Sequence, residues 1–290
     1  MSLILNDLFD SLRDFQDMVP AVESSTTFAE LNSSAASAKK QISNIITAAI
    51  YKSTSEITDN TAELKAALQS AMANATMARQ LVFDVMKLRK AGNDIFKNER
   101  EAMSRSYTEN YYNSMDTLLT LLDSVDAWKE TDYYKKKESL KIQSAEEFNA
   151  FYPIDGSYLF FFRCISIQEE ILDDILTNYF EKVTEDVDNK DLITKRLMRA
   201  LAQLTVASAI RRFDPQELPS TIRNLHEDST ASRSAETEQS KLLDLSTQLA
   251  KSAMEILTNV DNILISSTDA TDIETETSFN EITDKLYLSL

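Results

Sequence analysis

Side chains suited to chemistry are few and scattered along the chain. Its 290 residues include one histidine, His226, and one cysteine, Cys164. A Cys–His pair would need these two to meet, and nothing in their spacing brings them together. His226 lies in a polar stretch and reads as a solvated surface residue. Cys164 ends the aromatic run YLFFFRC that starts at Tyr158. Apolar surroundings raise a thiol's pKa, so Cys164 reads as a core residue rather than a nucleophile. Carboxylate pairs stand at Glu169–Glu170 and Asp173–Asp174. A di-metal bundle would need Glu and Glu-x-x-His ligands facing inward from several helices. Here Ile171, Leu172, Ile175 and Leu176 take the inward face and leave the acids outside. With two glycines no Gly-rich phosphate loop can form, and no nucleophile elbow, zinc spacing or EF-hand loop occurs. The expectation is a protein that is not an enzyme, with no cofactor and no metal site.

Charge narrows the partners. Thirty Lys and Arg stand against 47 Asp and Glu, a net charge of −17. Nucleic-acid binding draws on a basic footprint, so sequence-specific binding to nucleic acid is not expected. Basic residues do cluster locally: Lys87, Arg89, Lys90 and Lys97; Lys135, Lys136, Lys137 and Lys141; Arg196, Arg199, Arg211 and Arg212. They suit solvated helix C-termini, where cations complement the dipole, and equally suit contact with acidic neighbouring subunits. A single cysteine forms no intrachain disulfide and fits a reducing compartment. The opening MSLILNDLFDSL lacks a basic n-region and is not a signal peptide. No stretch approaches 18 continuous apolar residues, so no membrane association is expected.

The elements that carry these residues are helices. Two glycines and four prolines are far below the roughly 20 and 15 that average usage would give. Ala, Leu, Glu, Lys and Gln dominate, and these favour long helices joined by polar loops. The fold class is therefore all-α. The chain also repeats itself. At an offset of 129, Ile42, Ile46 and Tyr51 face Ile171, Ile175 and Phe180. At the same offset Ala73, Thr76, Met77, Ala78 and Leu81 face Ala202, Thr205, Val206, Ala207 and Ile210. A one-residue slip brings Phe83–Asp84 onto Phe213–Asp214, and Ser104-Arg105-Ser106 aligns with Ser232-Arg233-Ser234.

Two tandem helical-bundle modules follow, residues 1–138 and 139–267, related by internal duplication. Each opens with a capping signal, Ser11 to Asp14 and Ser144 to Glu147, and a proline (Pro20, Pro153) ends that segment. An amphipathic helix carries Ile42, Ile45, Ile46, Ala49 and Ile50 in one copy. In the other it carries Ile171, Leu172, Ile175, Leu176, Tyr179, Phe180 and Val183. Asp59-Asn60-Thr61 and Asp188-Asn189 supply a turn and cap before Ala-rich helices at about 62–90 and 190–212. Polar connectors follow near 91–106 and 214–234, extended or holding a short β-ribbon. A third long helix carries Met115, Leu118, Leu119, Leu122, Val125 and Trp128, or Leu242, Leu245, Leu249, Met254, Leu257, Val260 and Leu264. Residues 268–290 read as an extended acidic arm closed by an apolar anchor.

Three stretches carry a resemblance. IQSAEEFNAFYPIDG from Ile142 to Gly156, SYLFFF from Ser157, and LITKRLMRALAQLTVASAI from Leu192 to Ile210 resemble an uncharacterised family of phages and prophages of the Bacteroides group. The helix–turn–Ala-rich-helix unit is similar to that of phage head–tail connector (adaptor) proteins. The resemblance implies a virion structural protein, assembled in the host cytoplasm. It would be one subunit of a homo-oligomeric ring that docks on the portal and meets tail or adaptor proteins. The tandem duplication departs from the single-module adaptor. Connector subunits meet through exposed polar connectors and a terminal arm. That makes Arg105, Arg233, Leu286, Tyr287, Leu288 and Leu290 the candidate partner contacts. The other function class that the sequence allows is a cytoplasmic helical scaffold or protein-binding protein unrelated to virions.

Overall fold

The computed structural model describes residues 3–19, 22–23, 25–58, 62–90, 96–184, 189–223 and 235–272. In the first half, helices α1 (Leu12–Met18), α2 (Phe28–Ile46), α3 (Ala48–Ser55), α4 (Glu63–Lys90) and α5 (Lys97–Leu122) are followed by the short α6 (Asp126–Lys129) and α7 (Asp132–Ser139). The second half runs through α8 (Ala145–Phe151), α9 (Tyr158–Arg163), α10 (Ile165–Ile171), a π turn (Leu172–Leu176), α11 (Thr177–Lys182), α12 (Lys190–Arg212), α13 (Ser220–Arg223) and α14 (Ala235–Asp272). No strand occurs among the described residues, and the protein is all-α.

Local chemistry sets the helix starts. The Ser11 hydroxyl accepts from the Asp14 amide at 3.3 Å, and the Asp14 carboxylate accepts from the Ser11 amide at 2.9 Å. This reciprocal box satisfies two amides that open α1. Ser144 likewise accepts from the Glu147 amide at 3.0 Å, but Glu147 reaches past it to the Gln143 amide at 2.9 Å. The second box is thus shifted by one residue. Asn189 stands before α12 in the left-handed region, φ 62°, and its side chain makes no cap. Residues 59–61 and 188, which carry the rest of the expected turn signal, lie outside the described residues.

The Ala-rich helices form the centre of each half. α4 packs most extensively on α5, and α12 on α14. Small side chains allow this close approach: Ala67, Ala71, Ala73 and Ala75 in α4, and Ala200, Ala202, Ala207 and Ala209 in α12, are buried. Thr76 and Thr205, both fully buried, satisfy their hydroxyls in the same way. Each donates one turn back at 2.7 Å, to the Met72 and Leu201 carbonyls. The preceding helices bury matching positions too. Leu31, Ala35, Ala38 and Ile42 face inward in α2, as do Phe160, Cys164, Ile167 and Ile171 in α9 and α10.

Several elements depart from the sequence reading. The first amphipathic helix breaks at Thr47, φ 71°, which ends α2 and whose hydroxyl accepts from Ile50 to start α3. Its counterpart in the second half carries the π turn. Trp128 is not on the third helix: α5 stops at Leu122, and Trp128 sits on α6. The first connector is helical from Lys97 onward, and the second holds a 3-10 turn (Pro215–Glu217) and α13. Met254 faces solvent while Ala253 is buried. α14 continues through Asp272, so the first residues of the expected arm are helical.

One continuous core runs through both halves, and the joint lies between α5 and α9. Trp128 stacks on Phe162 at 5.6 Å between ring centroids, and Tyr133 lies 5.1 Å from the same ring. Beside them the Tyr158 hydroxyl donates to Asp123 at 2.6 Å, and Lys137 lies 3.4 Å from that carboxylate. Replacing a buried aromatic with alanine removes contacts that the surroundings cannot refill. Trp128→Ala is therefore expected to cost about 3–5 kcal/mol in urea unfolding. Unchanged stability would show that the halves do not depend on this joint.

Candidate functional site

α5 carries a second row of side chains beside those that pack on α4. Arg105, Glu109, Tyr112, Asn113 and Asp116 recur at three- and four-residue spacing and so share one side of the helix. They form one wall of a cleft of about 560 Å³. Asp155, Ser157, Leu159 and Phe160 form its floor, and Gln216 to Ser220 with Arg223 form the far wall.

The floor is shaped by an unusual turn. Asp155 and Gly156 adopt φ of 58° and 64° in succession. Asx residues and glycine tolerate this region best. The Asn149 side-chain oxygen Oδ1 holds the turn by accepting from the Ile154 and Gly156 amides at 2.8 and 3.2 Å. Asp155 in turn accepts from the Thr221 amide at 3.0 Å and from the Thr221 hydroxyl, which ties the floor to α13.

Each carboxylate deep in the cleft is committed to the fold. Asp116 accepts from the Leu159 amide at 2.6 Å and from the Ser157 hydroxyl at 3.1 Å, at the start of α9. Burial raises its carboxyl above the ordinary value of 3.8, and hydrogen bonds from Leu159, Ser157 and Tyr158 oppose that rise. Glu217 accepts from Arg163 at 2.9 Å, and the Arg163 guanidinium lies 4.7 Å over the Phe213 ring. Burial, reinforced by Glu217, pushes the Tyr112 phenol well up. Its neighbour Tyr111 is pushed up to about 12, mainly by burial. Arg105, Glu109 and Asn113 line the open side. This is the chemistry of a polar recognition surface. The Ser157 hydroxyl and the Asp116 carboxylate meet in the cleft, and both are engaged in holding the start of α9; among the described residues no three potential ligands gather around a metal position.

Of the residues picked from sequence, Arg105 lies at the lip of this cleft. Arg233, Leu286, Tyr287, Leu288, Leu290 and His226 lie outside the described residues. Cys164 is fully buried, and that burial drives its thiol far above the ordinary range. The basic clusters largely pair within the chain. Lys87 meets Glu30 at 3.3 Å, Lys136 meets Glu169 at 3.0 Å, and Arg212 grips Glu170 with two bonds of 2.6 Å. Arg211 donates to the buried Ser246 hydroxyl at 2.9 Å. The acids at 169 and 170 are therefore helix-to-helix links on the surface. The cleft itself escaped sequence reading because its walls lie far apart in the chain. The only local signal was the Asp155–Gly156 turn. No helix among the described residues is long and apolar enough to cross a membrane. No protein-family model, curated protein or solved structure matches the chain.

Two measurements probe this region. A carboxyl raised in the folded state contributes its stability fully below the unfolded value and loses it as pH rises through the folded one. Asp116→Asn keeps an acceptor for the Leu159 amide and removes that titration. It is expected to unfold at or above the wild-type urea midpoint at pH 7. Asp116→Ala loses the acceptor and about 1 kcal/mol. Equal losses for both variants would exclude the capping role. Cys164 is expected to resist a thiol reagent in the native chain and to react at once in denaturant. Rapid native labelling would contradict its burial.

Proposed function

We propose that this chain is a phage virion structural protein of the head–tail connector (adaptor) type, a ring-forming subunit that docks on the portal. One observation carries the non-catalytic part of this reading. The charged side chains of the body are used to tie helices together, through Lys39–Asp7, Lys136–Glu169, Arg163–Glu217 and Arg212–Glu170. Meanwhile large apolar side chains stay exposed at the connector end of the α4–α5 pair. Such a body is suited to meeting other proteins. The resemblance of residues 142–162 and 192–210 to the phage family supplies the particular assembly. The proposed partners are other copies of the chain, the portal, and tail or adaptor proteins. An acidic surface facing a DNA channel would repel phosphate and keep DNA from adhering. The two halves are proposed to descend from one duplicated module, supported by the shared element order and by the matched buried positions of α2 with α9–α10.

A cytoplasmic scaffold is the second reading. The polar cleft around Arg105, suited to a single partner, favours it. Native mass spectrometry separates the two. A connector is expected as a closed ring of one defined subunit number that captures portal rings. A chain that stays monomeric and ignores the portal leaves the scaffold.

A further inference from the structure

We infer that the connector end of the α4–α5 pair is the acceptor for the acidic C-terminal segment of a second copy of this chain, a docking that rests on the ring reading and supplies its subunit contact. Val82, Phe83 and Met86 share one face of α4 and are 57%, 50% and 58% exposed. Phe96, just before α5, is 76% exposed, and Met103 is exposed two turns into it. Because α4 and α5 pair along their lengths, all five lie at one end of the hairpin. Clustered exposed apolar side chains of this size mark protein contact sites. Lys87, Arg89 and Lys90 continue α4 past its apolar face, and no acid follows Asp84 in that helix. Glu99, Arg100 and Glu101 alternate in sign across the start of α5. The last turn of α4 is thus apolar and basic in a chain whose net charge is −17.

The second half shows how such a ring is covered. Phe213, aligned with Phe83, lies 6.2 Å from the Phe160 ring and under the Arg163 guanidinium. Phe83 has no such cover.

Residues 273–290 read IETETSFNEITDKLYLSL. Glu274, Glu276, Glu281 and Asp284 precede Leu286, Tyr287, Leu288 and Leu290. This acidic-then-apolar order complements the patch in both charge and hydropathy.

Geometry favours a neighbour's segment over the chain's own. α14 runs antiparallel to α12: Ser246 donates to the Ala207 carbonyl at 2.8 Å, and Asp261 accepts from Tyr179, ahead of α12, at 3.0 Å. The C-terminal end of α12 leads into the cleft beside Arg105, toward the connector end of the hairpin. α14, 38 residues long, therefore carries residue 272 about 57 Å along its axis and away from that end. Fully extended, residues 273–286 reach about 50 Å. That reach is shorter than the length of α14 itself.

The test uses the full chain carrying Phe83→Cys and Leu288→Cys, oxidised with diamide. Cys164 is buried and stays silent. Disulfide-linked multimers on a non-reducing gel are expected. An intrachain disulfide, or none, overturns the docking. In parallel, Phe83→Asp alters an exposed side chain and should leave helicity and melting temperature unchanged. It is expected to weaken self-association by at least about tenfold. A ring that survives Phe83→Asp overturns this docking and leaves the connector reading standing. Interchain crosslinks in a chain that closes no ring uphold the docking and remove the connector reading.

Discussion

The carboxylate of Asp116 sits where the two halves meet, and the placement of the second half depends on it. The inward side of α5, through Tyr111, Met115, Leu118 and Leu122, is buried against α4. The outward side presents Asp116 and Asp123 to the start of α9. A single helix therefore serves as a core element of one half and as a mount for the other. The Trp128–Phe162 stack supplies apolar burial at the joint, and burial is not directional. The hydrogen bonds from Leu159, Ser157 and Tyr158 are directional. They fix which way α9 leaves the joint, and through it the floor of the cleft.

The counterpart of α5 has no such load. In α14, Leu242, Ser246, Leu249 and Ala253 are buried at the same spacing as Tyr111, Met115, Leu118 and Leu122. On that register Leu243 and Met254 of α14 stand where α5 has Tyr112 and Asp123. Tyr112 and Asp123 face the second half, whereas Leu243 and Met254 are exposed. Met254 was expected inside because apolar periodicity cannot tell a core face from an outer apolar stripe when both lie on one helix. Ala253, the true inward residue, is small because α14 lies close against α12.

Legibility followed the range of the forces involved. The Ala-rich helices and the Ser11 box were readable because composition and short-range capping determine them. The observed α4 and α12 end at Lys90 and Arg212, as the pattern implied. The break at Thr47 was not readable, because a positive φ at a β-branched residue arises from tertiary packing that overrides propensity. Trp128 was placed on the wrong element for a related reason: the apolar spacing persists across Ser124 while the backbone turns away. The cleft was invisible because residues from 105 to 223 converge on it. Arg105 belongs to the expected polar connector and to the repeated Ser-Arg-Ser triplet, and it reaches the cleft through the face of α5, which neither feature encodes.

The ion pairs bear on how this acidic chain keeps its shape. Lys136–Glu169 and Arg212–Glu170 are surface links, and pairs of this kind contribute roughly 0–1 kcal/mol each. They cannot supply most of the stability, which the buried aliphatic and aromatic residues must provide. What they do is neutralise acids where helices cross: both paired carboxylates of α10 meet a cation from another element. Six acids fall between residues 266 and 284, with no base among them. The remaining 41 acids face 30 Lys and Arg, so the rest of the chain stays acidic as well, and this segment differs in having no base beside its acids. Acids without neighbouring bases find their electrostatic complement in basic surfaces, and the last turn of α4, with Lys87, Arg89 and Lys90, is one of these.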